Sequence, residues 1–182
     1  MRIAYFGFAA NPPHRGHLEV IEWLAERFDL VLVAPSAAHA FGKNMQSLEI
    51  RKELCEALLG QLENTNVQMT DIEEMLAVDG PVYSYNALKA LSFIYPEDQL
   101  FLAVGPDNGD PAVWAKFYKG DDILNEFGRV VAPDMGQHKR STQIRAMIAE
   151  GTTYEELEKV ATPAVASLLL GEYARLYGQM SA

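Results

Sequence analysis

Short apolar runs alternate along this chain with stretches whose apolar residues recur at helical spacing. Five runs read as strands: residues 3–6, 30–34, 67–70, 99–104 and 129–132. Strands that are apolar throughout suit a sheet covered on both faces, and strands that alternate with helices predict parallel pairing. We therefore predict an α/β fold with a Rossmann-like, doubly wound parallel sheet of five or six strands, helices on both faces and a helical C-terminus.

The C-terminal region carries its own helix signals. Thr153 and Glu156 form a capping-box pattern, and Thr162 followed by Pro163 predicts a cap and a first-turn proline for a final helix whose apolar positions run to Leu176. The sequence shows no internal repeat and no linker, so residues 1–182 are predicted to form a single domain.

Charge and cysteine content narrow the function classes. Fifteen Lys and Arg stand against 25 Asp and Glu, a formal net charge of -10, which disfavours nucleic acid and anionic membranes as partners. No apolar stretch approaches the roughly 20 residues that span a bilayer. A single cysteine, Cys55, excludes an intramolecular disulfide and suits a reducing compartment, so we expect a cytoplasmic protein. The oligomeric state stays open, a homo-oligomer included.

The loop after the first predicted strand is the first candidate site, because ligands of open parallel sheets bind beyond the carboxyl ends of the strands. It runs from Gly7 to His17 and ends in His-Arg-Gly-His, with a helix predicted to begin near Gly16. A helix N-terminus offers free N–H groups and a positive dipole end, and His14 and His17 lie beside it. This pattern predicts an anion site, with phosphate as the natural ligand.

The two histidines also have two other interpretations. Metal binding lacks a third ligand, since neither a nearby carboxylate nor a cysteine accompanies them, so no metal-ligating residues are predicted. They could also serve only as helix caps or surface residues.

A second basic group, residues 138–145, reads His-Lys-Arg-Ser-Thr-Gln-Ile-Arg. Alone it is typical of a capped helix with a solvated basic face. In so acidic a chain, a basic run beside a helix start also suggests a phosphate site with a bidentate arginine. Two phosphate sites on one sheet favour a polyphosphate ligand.

Together these two segments resemble the signatures of the nucleotidyltransferase superfamily. Residues 7–17 are similar to its GxFxPxHxGH motif, and residues 141–145 to its Ser-Thr-x-Ile-Arg motif. Within the superfamily the chain most resembles nicotinate (or nicotinamide) mononucleotide adenylyltransferases. It departs from their usual pattern at Ala10, where an aromatic is usual, at Arg140, where Ser is usual, and in the short interval 133–141.

The resemblance implies roles for individual residues. Catalytic roles fall on His14, His17, Lys43 and Arg145. ATP binding falls on Gly7, Phe8, Ala9, Gly16, Gly105, Asp107, Ser141 and Thr142. Mononucleotide binding falls on Asn11, Tyr83, Ser84 and Trp114, the last by stacking on the pyridine ring. Asp107 and Asp110 are each placed to hold a ribose hydroxyl or a metal-bound water.

The resemblance further implies adenylyl transfer from ATP to nicotinate mononucleotide, which forms a dinucleotide and pyrophosphate in NAD biosynthesis. Mg²⁺ is the expected cofactor, bound mainly through the ATP phosphates. Three alternatives stay open: nicotinamide mononucleotide as acceptor, another phosphate acceptor, and a nucleotide-binding module without catalysis.

Overall fold

The structure, a computed structural model, describes residues 1–38, 42, 44–78, 80–136 and 138–180. The strands are β1 (Arg2–Phe8), β2 (Leu30–Pro35), β3 (Val67–Met69), β4 (Gln99–Val104) and β5 (Arg129–Val131). The helices are α1 (Arg15–Ala25), α2 (Leu48–Leu59), α3 (Ile72–Leu76), α4 (Ser84–Ile94), α5 (Pro106–Gly109), α6 (Pro111–Trp114), α7 (Gly120–Glu126), α8 (Ser141–Ala149), α9 (Tyr154–Ala161), α10 (Pro163–Leu170) and α11 (Ala174–Gly178).

The five strands form one sheet in the order β3-β2-β1-β4-β5, and every neighbouring pair is parallel. The predicted fold class and the five strand assignments are therefore confirmed. Strand order reverses between β1 and β4, because the chain adds β2 and β3 on one side of β1 and then crosses to the other. This reversal opens a crevice at the carboxyl ends of β1 and β4, where a ligand site is expected.

Both faces of the sheet are buried, as the apolar strands predict. Ala4 and Phe6 face a core shared with α1, α2 and α8 to α11, and Ile3 and Tyr5 face a second core shared with α3, α4, α6 and α7. Successive residues of a strand point to opposite faces, so one continuous apolar run serves two cores.

The C-terminal region differs from the prediction in two details. The predicted final helix is two helices, α10 and α11, because the backbone at Gly171 leaves helical geometry. Thr162 precedes Pro163 as expected, but its side chain does not cap α10. Its φ of 101° is not the extended conformation of a capping residue, and its buried hydroxyl has no hydrogen-bond partner among the described residues. The capping box of Thr153 and Glu156 is present.

Two short helices, α3 and α5, were not predicted, because elements of four or five residues are too short to show a periodic pattern. Within the described ranges, none of the helices combines the length and apolar character that crossing a membrane requires.

Candidate active site

The loop between β1 and α1 lies at the reversal point of the sheet, and internal contacts fix its backbone. Arg51 of α2 is 1% exposed and donates to three carbonyl oxygens, those of Ala9 (2.8 Å), Ser36 (2.7 Å) and Gln46 (2.8 Å). One guanidinium therefore joins the loops that follow β1 and β2 to the start of α2. All three of these hydrogen bonds are to backbone, so Arg51 acts here as a scaffold residue.

His14 and His17 form a reciprocal cap on α1. The Nδ1 of His14 accepts the N–H of Gly16 at 3.1 Å, and the Nδ1 of His17 accepts the N–H of His14 at 3.2 Å. The two ring centroids lie 3.8 Å apart. The histidines thus do act as caps, which is one of the roles that the sequence left open.

The two caps determine which nitrogen of each ring carries the proton. A neutral imidazole has one N–H and one acceptor nitrogen, so an Nδ1 that accepts a backbone N–H leaves the proton on Nε2. Burial, followed by the nearby His138, lowers the pKa of His14 to about 4. Burial, followed by the adjacent His14, also holds the pKa of His17 well below its usual range. At neutral pH both rings are therefore uncharged and each has an Nε2–H group as a donor.

Gly16 lies where a side chain has no room. A Cβ at this position would meet Cε1 of His14 at 2.9 Å and Cβ of His138 at 3.3 Å. The absence of a side chain therefore lets the histidine cap and the 138–140 segment approach the same turn of α1.

Helix α8 is joined to the same loop. Ser141 Oγ donates to the carbonyl oxygen of Pro12 at 2.8 Å, and Arg145 Nη1 donates to the carbonyl oxygen of Asn11 at 2.7 Å. Arg145 Nη2 also lies 3.4 Å from the hydroxyl of Thr142. The two segments that the sequence singled out, far apart in the chain, are therefore neighbours.

The remaining predicted ATP-side residues line the ends of β1 and β4. The ring of Phe8 packs on the ring of His17 with centroids 4.5 Å apart. Gly7 lies close to Tyr5, since a Cβ at position 7 would be 3.2 Å from the Oη of Tyr5. Gly105 is the residue before α5, and Asp107 in α5 forms an ion pair with Arg140 at 2.9 Å. Lys43 falls outside the described residues, so its predicted catalytic role stays a prediction.

The predicted mononucleotide residues occupy three environments. Asn11 is 4% exposed, and its Oδ1 accepts the N–H of Gln46 at 3.1 Å. Tyr83 is the residue before α4 and Ser84 the first residue of that helix. The Tyr83 side chain is 44% exposed and packs on Tyr118 with centroids 4.8 Å apart.

Trp114 is only 8% exposed, and its ring already has partners. The indole stacks on Phe117 with centroids 4.6 Å apart and lies 4.4 Å from the guanidinium carbon of Arg129. A pyridine ring could reach the indole only after one of these neighbours moves, so the predicted stacking is not preformed in this structure.

Sequence reasoning did not identify a contact beside the histidines. Nε2 of His138 lies 2.8 Å from a carboxylate oxygen of Glu19 on α1. His138 was noted as part of a basic run, but the spacing of the two residues in the chain gives no signal that they meet. No three His, Cys, Asp or Glu side chains among the described residues are grouped so that they could hold a metal ion.

Comparison with known proteins assigns the family. The family model described as cytidylyltransferase-like matches residues 5–155. The chain belongs to the cytidylyltransferase-like family. This nucleotidyltransferase is 32% identical over 165 residues to a probable nicotinate-nucleotide adenylyltransferase of Anaeromyxobacter sp. (strain K). The matched region covers 82% of this chain and 84% of the relative. The chain is 28% identical over 189 residues to one from Myxococcus xanthus, covering 98% and 94%.

Solved structures agree with this assignment. A putative nicotinate-nucleotide adenylyltransferase from Vibrio parahaemolyticus matches at 37% identity and a TM-score of 0.80, covering 94% of this nucleotidyltransferase and 100% of that chain. The Plasmodium falciparum nicotinic acid mononucleotide adenylyltransferase complexed with NaAD has a TM-score of 0.77 at 13% identity, which supports the fold alone. Within its family the chain therefore belongs with the nicotinate-nucleotide adenylyltransferases, and the alternative of a binding module without catalysis is not favoured.

Proposed function

We propose that this protein transfers the adenylyl group of ATP to nicotinate mononucleotide, with release of pyrophosphate. The observation that carries the proposal is the junction of α1 and α8. Here the two uncharged histidines that cap α1 lie beside the start of α8. Relatives of this chain are named for the same reaction, and the resemblance of residues 7–17 and 141–145 to the superfamily motifs supports it.

In this proposal an oxygen of the mononucleotide 5′-phosphate attacks the α-phosphorus of ATP. A new P–O bond forms, the bond between the α-phosphorus and the α,β-bridging oxygen breaks, and the electron pair leaves with pyrophosphate. The phosphate monoester is largely a dianion at neutral pH, because its second pKa is about 6. The reaction therefore needs positioning and charge stabilisation rather than a strong base.

His14 and His17 are suited to hold the ATP phosphates through their Nε2–H groups. Their Nδ1 atoms are engaged with backbone, so the rings need no reorientation when phosphate arrives. The start of α1 adds the positive end of its dipole. A neighbouring anion favours the protonated form of each imidazole, so phosphate binding is expected to raise the pKa of both histidines.

Mg²⁺ is proposed to enter with ATP. Asp107 and Asp110 are the candidate carboxylates beyond β4, and both have partners, since Asp107 pairs with Arg140 and Asp110 Oδ1 accepts the N–H of Ala112. They suit at most one or two contacts to the ion or its waters, while phosphate oxygens supply the other ligands. A bound Mg²⁺ would supply positive charge that offsets the negative charge of the phosphates.

Product identity provides the test. Purified protein is incubated with Mg-ATP and either nicotinate or nicotinamide mononucleotide at equal concentrations, and pyrophosphate and dinucleotide are quantified. The proposal expects stoichiometric pyrophosphate and deamido dinucleotide, with a higher kcat/KM for nicotinate mononucleotide. A higher kcat/KM for nicotinamide mononucleotide would overturn the substrate, and no pyrophosphate with either would overturn the reaction.

A further inference from the structure

Three arginines near the candidate site are engaged with backbone. Arg15 donates through Nε and Nη2 to the carbonyl oxygen of Glu158, at 3.1 and 2.7 Å. Arg51 and Arg145 likewise donate to carbonyl oxygens of the loops around the site. These side chains hold the scaffold, and Arg145 also has a buried Nε without a hydrogen-bond partner among the described residues.

Arg140 has a different environment. It is the residue before α8, its side chain is 74% exposed, and its Nη2 pairs with Asp107 Oδ2 at 2.9 Å. The Asp107 side chain is 69% exposed. Exposed ion pairs of this kind are weak, because water and salt screen both charges. Arg140 can therefore exchange its partner at little cost.

The segment that carries Arg140 spans the crevice. At one end His138 contacts Glu19 of α1 at 2.8 Å, and its Cβ packs beside Gly16 next to the His14 ring. At the other end Arg140 reaches Asp107 in α5, which follows β4. A cation on a short anchored segment thus lies between the start of α1 and the end of β4.

We propose that Arg140 is an additional triphosphate-binding residue that leaves Asp107 when ATP binds. This inference rests on the proposed function, because it takes ATP as the ligand. Terminal phosphates carry more charge than one carboxylate and accept two parallel hydrogen bonds from a guanidinium, so they outcompete Asp107. In a chain of net charge -10, a local cation also offsets the repulsion that the whole molecule exerts on ATP.

Binding of Mg-ATP and of AMP to the full chain, measured by titration calorimetry, tests the inference. Arg140→Gln should raise the Kd for ATP about tenfold, the loss expected for one charge-assisted contact, and leave the Kd for AMP unchanged because AMP lacks the outer phosphates. Lys139→Gln is the matched control, since the neighbouring residue is also exposed and loses the same charge. Arg140→Lys, which keeps the charge but not the bidentate geometry, should fall between wild type and Arg140→Gln.

The results separate this inference from the proposed function. If wild type fails to bind ATP, the proposed function fails and the inference fails with it. If wild type binds ATP and Arg140→Gln matches either wild type or Lys139→Gln, only the role of Arg140 is overturned. An equal loss of ATP and AMP affinity would also overturn it, because the contact would then not involve the outer phosphates.

Discussion

The two helix starts that meet at the candidate site are built in opposite ways. At α1, the cap residue His14 is 8% exposed, and both histidines use Nδ1 to accept backbone N–H groups. At α8, Arg140 is exposed and is held by a surface ion pair. The first helix start offers fixed, neutral donors, and the second offers charge whose partner can change.

This difference follows from the free-energy cost of burying a charged group compared with a neutral one. An uncharged imidazole can be buried once its acceptor nitrogen is satisfied, whereas a buried guanidinium carries a charge and needs several acceptors, as Arg51 has in three carbonyl oxygens. Precise geometry is therefore available from buried neutral groups, and adaptable charge from exposed ones. Under the proposed function, which requires two phosphates to be aligned and pyrophosphate to be released, both kinds of group are useful.

The largest expected effect comes from removing a fixed donor. His17→Ala should lower kcat about 10²- to 10³-fold, the usual loss for one preorganised donor to a transition-state oxygen. His17→Gln keeps a donor near the position of Nε2 and should recover part of the rate. His17→Asn keeps only an acceptor near Nδ1 and should stay as slow as alanine. Steady-state pyrophosphate release measures all three, and equal rates for the Gln and Asn variants would contradict the role of Nε2–H.

A smaller effect is expected when the histidine donors are displaced but not removed. Gly16→Ala places a methyl group 2.9 Å from Cε1 of His14, so the ring must turn away from its cap. We expect kcat to fall at least about tenfold, because small displacements of aligned groups are costly in rate. The free energy of unfolding should fall by only about 1 kcal/mol, the usual value of a helix cap.

Gly60→Ala is the control for Gly16→Ala. Gly60 ends α2 with φ of -61°, and a Cβ there makes an ordinary contact at 3.4 Å with a backbone oxygen. This variant should keep full activity. If Gly16→Ala were equally active, the packing of His14 against Gly16 would not matter for catalysis.

Acid should destabilise the first helix start through His14. Its pKa is about 4 in the folded protein and about 6.5 in the unfolded chain, so between these values the unfolded chain binds more protons and stability falls as pH falls. From pH 7 to pH 5 this amounts to about 2 kcal/mol for one histidine. His14→Asn keeps a capping side chain that does not titrate. Between pH 7 and pH 5, its free energy of unfolding, measured with urea, should therefore fall by about 2 kcal/mol less than that of the wild type. Identical pH profiles would contradict the buried, neutral state of His14.

The smallest expected effect concerns the junction of the two helix starts. Ser141→Ala removes the hydrogen bond to the carbonyl oxygen of Pro12 and should cost about 1 kcal/mol of stability, with a raised KM for ATP. Ser92→Ala is the control, because it removes a similar bond to the carbonyl oxygen of Lys89 in α4. It should leave KM unchanged. An equal KM in both variants would mean that the junction does not affect ATP binding.

The sequence predicts most of the fold and singles out the two segments that meet at the candidate site. Apolar runs such as residues 30–34 are long and uninterrupted, so they identify buried parallel strands without any tertiary information. The helix that begins just after His14 follows from the same reasoning. The break at Gly171 was not predicted, since the apolar spacing continues through it.

Contacts between distant elements could not be predicted from local patterns. The stacking of Trp114 on Phe117 and Arg129 and the contact of His138 with Glu19 depend on how elements pack. Arg51 did carry a signal: it shares the buried stripe of α2 with Leu54 and Leu58, so a charged side chain was predictably directed inward.

Under the proposed function, His14 and His17 are neutral Nε2–H donors that contact ATP. Nitrogen-15 NMR of the histidine side chains at pH 7, without and with Mg-ATP, tests it directly. We predict a protonated Nε2 and an unprotonated Nδ1 for both residues in the free protein, and Nε2 signals that shift when ATP binds. Protonation of Nδ1 in the free protein, or Nε2 signals that do not respond to ATP, would contradict the account.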